Sequence, residues 1–197
     1  MTAPNWFIGL VVPPEARWHE LRSPLPAGVR PYHPGDLHLT LAFLGACDEG
    51  AAARAWRAVA GLTAAPLLVR AGAWRAMGAP QAPSAYALTL AEGHDEAARL
   101  IRDWGGPARG AAGLGPERRA PLPHVTVARS RRRGAAAGRS AMAEWMAAAP
   151  LPGRPCRLRE LALYTWSRRR GESDAPLFEL VARRPLAPPG PQLDAEV

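Results

Sequence analysis

The chain of 197 residues contains no lysine, so all 25 of its basic residues are arginine, set against 17 acidic residues for a formal charge of +8. Arginine offers phosphate a planar, two-pronged donor, and the surplus suits an anionic partner such as RNA. The same chain is rich in Ala, Gly and Pro and holds one Asn and two Ile, so a compositional bias accounts for the surplus equally well. Charge alone does not establish nucleic-acid binding. Cysteine is scarce too: Cys47 and Cys156 stand far apart and outside any Cys-x-x-Cys pattern, which removes a disulfide framework and a cysteine zinc site. Two reduced thiols are expected. Long apolar runs are missing as well. The stretch from Trp6 to Val12 is too short for an export signal or a bilayer span, so the expectation is a cytoplasmic protein with no membrane partner.

What is present is enough apolar material, 48% of residues, for one real core. Trp6 to Val12 reads as a strand closed by Pro13-Pro14, followed by a short helix that spaces Trp18 and Leu21 one turn apart. His38 to Leu44 reads as a strand stopped by Gly45, and Asp48 caps a helix that ends near Gly61. Strands over Leu67 to Ala76 and Tyr86 to Leu90 follow, then a helix from Asp95 to Trp104 terminated by Gly105-Gly106. The pattern continues with a strand from His124 to Ala128, a helix over Ser140 to Ala149, and strands over Leu158 to Trp166 and Leu177 to Ala182. Mixed elements with hairpin-length links argue an α+β fold of two similar halves. A single domain over residues 1–186 is expected, with a loose Pro-rich tail at 187–197. A monomer is expected.

Two short stretches stand out, DLHLTLAFLG from Asp36 to Gly45 and PHVTVARS from Pro123 to Ser130. With five histidines and six threonines in the chain, random placement gives about 0.15 His-x-Thr triplets, so a pair in matching strand contexts asks for a cause. On a strand, His38 and Thr40 share one face while Leu39, Leu41 and Phe43 take the other; His124 and Thr126 share a face over Val125 and Val127. Each motif thus raises an imidazole and a hydroxyl from one side of a sheet. Two histidines can divide proton work near neutral pH, and hydroxyl and guanidinium donors suit a phosphoryl group that gains charge. With Asp36 as the one nearby carboxylate, the set is poor for a divalent ion, so neither a metal nor a cofactor is expected.

HLTLAFLG and HVTVAR, together with the run VRPYHPGD before the first and LALYTWSRRRG late in the chain, resemble the 2H phosphoesterase superfamily. The likeness is to its LigT-like branch of RNA 2′,3′-cyclic phosphodiesterases, also known as 2′-5′ RNA ligases. That resemblance implies a bilobal α+β fold, two pseudo-symmetric lobes of antiparallel sheet and helices around a cleft. It also implies metal-independent opening of RNA 2′,3′-cyclic phosphate ends, or of small cyclic nucleotides, to 2′-phosphomonoesters. Carried over by motif position, His38 is the general acid, His124 the base, and Thr40 and Thr126 bind phosphate. Arg129 matches the arginine that ends the second motif. Strict alternation puts Arg129 on the core face, so it needs a bulge or a strand end to reach phosphate. The branch's late Leu-Tyr-x-Ser pattern is one residue longer here, with Trp166 between Thr165 and Ser167.

Two alternatives stay open. One is 2′-5′ RNA ligation or action on another cyclic phosphate at the same site; the other is a non-catalytic RNA-end binding protein, suggested by the charge and by the runs Arg131 to Arg133 and Arg168 to Arg170. Such runs are more often solvated surface. Phe7, Tyr164 and Trp166 could stack a base but are expected in the core, and His19, His33 and His94 are read as surface or structural.

Overall fold

A computed structural model describes residues 3–20, 24–130, 137–167 and 175–187, with backbone alone at 137–140. The two arginine runs and the tail beyond 187 lie outside the described residues. The strands are β1 (Asn5–Val11), β2 (Val29–Pro31), β3 (His38–Ala46), β4 (Leu67–Ala79), β5 (Ala82–Glu92), β6 (His124–Ser130), β7 (Cys156–Leu158), β8 (Glu160–Trp166) and β9 (Phe178–Pro185). The helices are α1 (Glu49–Ala58), α2 (His94–Ala111) and α3 (Ala137–Ala148).

Among the described residues nine strands join one sheet in the order β7-β4-β5-β6-β3-β1-β8-β9, every neighbouring pair antiparallel, with β2 added on β6. This is the expected α+β architecture. The halves meet where β3 touches β6, through the pair Leu39 and Val125. Beyond that point β6 takes β2 as its neighbour, pairing Arg129 with Arg30 and Ser130 with Val29. One face of the sheet is covered by the helices and holds the main core, in which Ile8, Leu10, Leu39, Leu88, Val125 and Leu161 are each 0% exposed. Burial of such side chains, at about 1.5–3 kcal/mol each, is what holds the layers together.

Several elements depart from the sequence expectation. After Pro13-Pro14 the chain makes only a 3-10 helix, Pro14–Ala16, and Arg17 then takes a left-handed φ of 59°, so the expected helix stops short of Trp18; Leu21 lies outside the described residues. Trp18 is nonetheless fully buried. Asp48 caps α1 as expected, its Oδ1 accepting the Ala51 N–H at 2.7 Å. Helix α2 does not stop at Gly105-Gly106 but runs through both and through Pro107 to Ala111. The reason is packing: a Cβ at Gly105 would lie 2.8 Å from the Leu41 carbonyl oxygen, so glycine lets the helix approach β3 closely. Strand Leu158 to Trp166 is two strands broken at Arg159, and β2, with a proline at its end, went unforeseen.

Candidate active site

The two motifs meet at the seam of the sheet. Because Leu39 lies opposite Val125 in an antiparallel pair, His38 stands beside Thr126 and Thr40 beside His124, with Cα atoms on the order of 5 Å apart. All four side chains rise from the face opposite the main core. The four residues form a crossed square, each imidazole flanked by the other motif's hydroxyl.

Each strand carries a bulge one residue after its threonine. Against β1, Thr40 pairs with Gly9 and Ala42 with Ile8, so Leu41 is the extra residue. Against β5, Thr126 pairs with Ala87 and Ala128 with Tyr86, so Val127 is the extra residue. A bulge shifts the phase of a strand, and every later side chain changes face. Leu41 and Ala42 are accordingly both core residues, as are Val127 and Ala128. The consequence corrects the alternation read from sequence: Phe43 does not join the core with Leu39 and Leu41 but turns to the His38 face, 53% exposed. By the same shift Arg129 reaches the His124 and Thr126 face, half-buried. Phe43 and Arg129 are equivalent positions of the two motifs. Helix α2 fastens the first bulge, with Arg109 Nη1 donating to the Phe43 carbonyl at 2.7 Å and Nε to that of Gly115 at 3.1 Å.

The imidazoles are held identically. Nδ1 of His38 lies 2.6 Å from the Asp36 carbonyl oxygen, and Nδ1 of His124 lies 2.6 Å from that of Leu122, each two residues upstream. A carbonyl only accepts, so Nδ1 carries the proton in both rings and Nε2 is left as the exchangeable nitrogen. His38 is the more deeply set, 9% exposed, whereas His124 is half-buried.

An aromatic wall surrounds His38. Phe7 stacks on its ring with centroids 4.4 Å apart, Tyr164 stacks on Phe7 at 4.8 Å, and Phe178 meets His38 edge-on at 5.5 Å. Phe7 and Tyr164 are thus core residues as expected, and the core they form is the back of the site. Trp166 packs on Phe178 at 5.4 Å. Gly9 leaves the space for the imidazole: a Cβ there would lie 3.3 Å from His38 Cδ2 and 3.0 Å from the Leu39 carbonyl oxygen. Asp36, 0% exposed, ties this wall to the motif, its carboxylate accepting the N–H groups of Leu177 and Phe178 at 2.9 and 3.0 Å. Ser167 is buried, and its N–H donates to the Leu177 carbonyl at 2.9 Å. Neither Gly9 nor Asp36 was singled out as a site residue from sequence. The signal for the bulges was present in Leu41-Ala42 and Val127-Ala128, two consecutive apolar residues where alternation demands one.

This setting lowers both imidazoles' proton affinity. Loss of solvent brings His38 from 6.5 to about 4, opposed by its bond to Asp36 and assisted by repulsion from His124. Burial likewise lowers His124, opposed by the Leu122 carbonyl and assisted by the Arg75 guanidinium. Burial raises the Asp36 carboxyl, and the N–H groups it accepts pull the other way. Among the described residues no three His, Cys, Asp or Glu side chains gather where they could hold a metal ion, and no helix is long and apolar enough to cross a membrane.

Residues 9–84 match the family model described as LigT like phosphoesterase, a segment that holds the first motif. Over most of its length the fold is similar to that of Escherichia coli LigT in complex with NADP+, with a TM-score of 0.67 and 18% identity over 95% of this chain and 99% of that one. It is similar to TT0787 of Thermus thermophilus, with a TM-score of 0.65 and 20% identity over 94% and 99% of the two chains. The complex of Escherichia coli LigT with 3′-AMP gives a TM-score of 0.63 and 19% identity over 93% and 98%. No curated protein matches the chain. The likeness read from the two motifs is thus matched by a shared LigT-like fold and by a family match around the first of them.

Proposed function

We propose that this LigT-like 2H phosphoesterase hydrolyses RNA 2′,3′-cyclic phosphate ends, or the corresponding small cyclic nucleotides, to 2′-phosphomonoesters without a metal. One observation carries the reading: two imidazoles from different halves of the sheet, each anchored through Nδ1 to the carbonyl two residues upstream, share one face with two threonine hydroxyls. Opening a cyclic phosphate toward the 2′-phosphate needs water in line with the departing 3′-oxygen, so a base and an acid must stand on opposite sides of phosphorus. Two halves meeting at a seam can supply one each.

In this scheme the phosphorus sits between the two Nε2 atoms. His124 takes a proton from water as the oxygen attacks, and His38 gives one to the 3′-oxygen as its bond to phosphorus breaks. The Thr40 and Thr126 hydroxyls and the Arg129 guanidinium donate to the non-bridging oxygens. The desolvation that depresses His38 in the free protein is offset when the anionic phosphate binds, because a nearby negative charge favours the protonated ring. The exposed ring of Phe43 on the same face gives a base a surface to stack on. The complexes of Escherichia coli LigT with ATP, phosphate and 3′-AMP are consistent with a nucleotide ligand in this fold.

The test is turnover of nucleoside 2′,3′-cyclic phosphates with the product resolved by phosphorus NMR. A 2′-phosphate is expected. No turnover, or a 3′-phosphate, overturns the reading.

A further inference from the structure

On the same face, the second half of the site has an arginine that the scheme above leaves unused. Strand β5 shows alanine there: Ala87 lies in one row between Arg75 of β4 and Thr126 of β6, and Ala85 lies between Met77 and Arg129. With strands about 4.8 Å apart, the Arg75 and Thr126 backbones stand roughly 10 Å from one another, a gap floored by a single methyl group. In this row no longer side chain on β5 stands between Arg75 and β6; Thr89, opposite His124, ties its hydroxyl to the Ala73 backbone. Its guanidinium is near enough to His124 to repel that ring's proton. Arg75 itself is exposed, and among the described residues no carboxylate pairs with it.

A solvated surface arginine would ordinarily be the simpler account. Two features argue against it here: the position in the Thr126 row, and a charge kept beside a catalytic imidazole that it makes harder to protonate. A cation in that place is useful when an anion arrives between it and the ring.

The reacting phosphorus must lie between the two Nε2 atoms at the β3–β6 seam, where Thr40, Thr126 and Arg129 already supply donors. Arg75 approaches from two strands away, on the β5 side, so it meets a group next to that phosphorus. We infer that Arg75 is a substrate-binding residue for the phosphodiester that joins the terminal nucleotide to the one before it, and that the site is built for an oligoribonucleotide end in preference to a free cyclic mononucleotide. The substrate class follows from the phosphodiesterase chemistry proposed above and narrows it, since a nucleoside 2′,3′-cyclic phosphate has no such second phosphate. Arginine's fork suits the two non-bridging oxygens of a diester.

The experiment compares a nucleoside 2′,3′-cyclic phosphate with a dinucleotide ending in the same group, on the wild-type protein, Arg75→Met and Arg75→Lys. Methionine keeps an unbranched apolar stem on an exposed strand position, and matched thermal melts establish that the fold is kept. The wild type is expected to prefer the dinucleotide. Arg75→Met is expected to lose on the order of tenfold more kcat/KM on the dinucleotide than on the mononucleotide, with Arg75→Lys in between. The salt dependence of dinucleotide binding should become shallower by about 0.7 in log–log slope, one phosphate contact on a single strand. Equal losses on the two substrates, or no loss on either, overturn this inference while leaving the hydrolase reading standing. Absence of turnover of both substrates by the wild type overturns the hydrolase reading and this inference with it.

Discussion

Leu39 lies opposite Val125 in antiparallel register, and this one pairing crosses the two motifs so that each histidine has the other motif's threonine at its side. In the proposed reaction the hydroxyls act on the same phosphate as the imidazoles. Thr40→Ala and Thr126→Ala should each weaken transition-state stabilisation by roughly 1–3 kcal/mol, the worth of a hydrogen bond to a charged group, with the fold intact. Steady-state kinetics on a cyclic phosphate checks this. Unchanged kcat/KM in both variants would mean that the hydroxyls do not meet phosphate.

The pH profile follows from the burial of the two rings. Activity needs one imidazole protonated and one neutral, so kcat/KM should be bell-shaped. The acid limb should fall near the His38 value of about 4, and the alkaline limb below the ordinary 6.5, because His124 is also depressed. The bell has the same form whichever ring is the acid. A substrate with a better leaving group than the 3′-hydroxyl separates the roles: it should rescue His38→Ala far more than His124→Ala. Selective rescue of His124→Ala would reverse the assignment.

The same depression links stability to pH. His38 binds its proton less well when folded, about 4 against 6.5, so the unfolded chain takes up more protons between those values. Stability is therefore full above about 6.5 and falls as pH drops toward 4, by on the order of 3 kcal/mol from this group. Denaturant melts of the wild type and His38→Phe across that window test it, since phenylalanine keeps a ring against Phe7 and cannot titrate. The variant should lose a large part of the slope. An unchanged slope would place the linkage elsewhere.

Gly9 should matter although it carries no functional group. In Gly9→Ala the new methyl would stand 3.0 Å from the Leu39 carbonyl oxygen and 3.3 Å from the His38 ring, so strand or imidazole must shift. A loss of about 1–3 kcal/mol of stability is expected, with a fall in kcat. Wild-type stability and rate would show that the ring has slack.

Phe43→Ala should weaken binding of base-bearing substrates by roughly 1–3 kcal/mol, the worth of one stacked base. Inorganic phosphate, which has no base, is the control ligand for calorimetry. Equal weakening of both would mean that the ring supports the site and does not touch the base.

The two motifs, the longer strands and the Asp48 cap were legible because each is a local pattern: a repeated triplet, an alternation, a side chain three residues before the N–H it accepts. What was not legible depends on neighbours far away in sequence. The bulge at Val127 is defined only against β5, and it decides whether Arg129 shares the face of His124 and Thr126 or turns to the core. Helix α2 passes Gly105-Gly106 because Leu41 lies under it, which no helix signal encodes. The wall around His38 assembles Phe7, Tyr164 and Phe178 from three strands, and Arg75 joins the row of Thr126 through Ala87. Periodicity reports which residues share a face. A doubled apolar pair such as Val127-Ala128 marks where that phase can slip, and the pairing with the neighbouring strand decides it.

The most direct test of the central claim is turnover of a nucleoside 2′,3′-cyclic phosphate in excess EDTA by the wild type, His38→Ala and His124→Ala, each shown folded by its thermal melt. The paired-imidazole account predicts undiminished formation of the 2′-phosphate by the wild type and a drop of about 100-fold or more in kcat in either variant, the usual worth of a positioned acid or base. Loss of wild-type activity on chelation with recovery on adding one divalent ion, or near-normal rates in both variants, would contradict it.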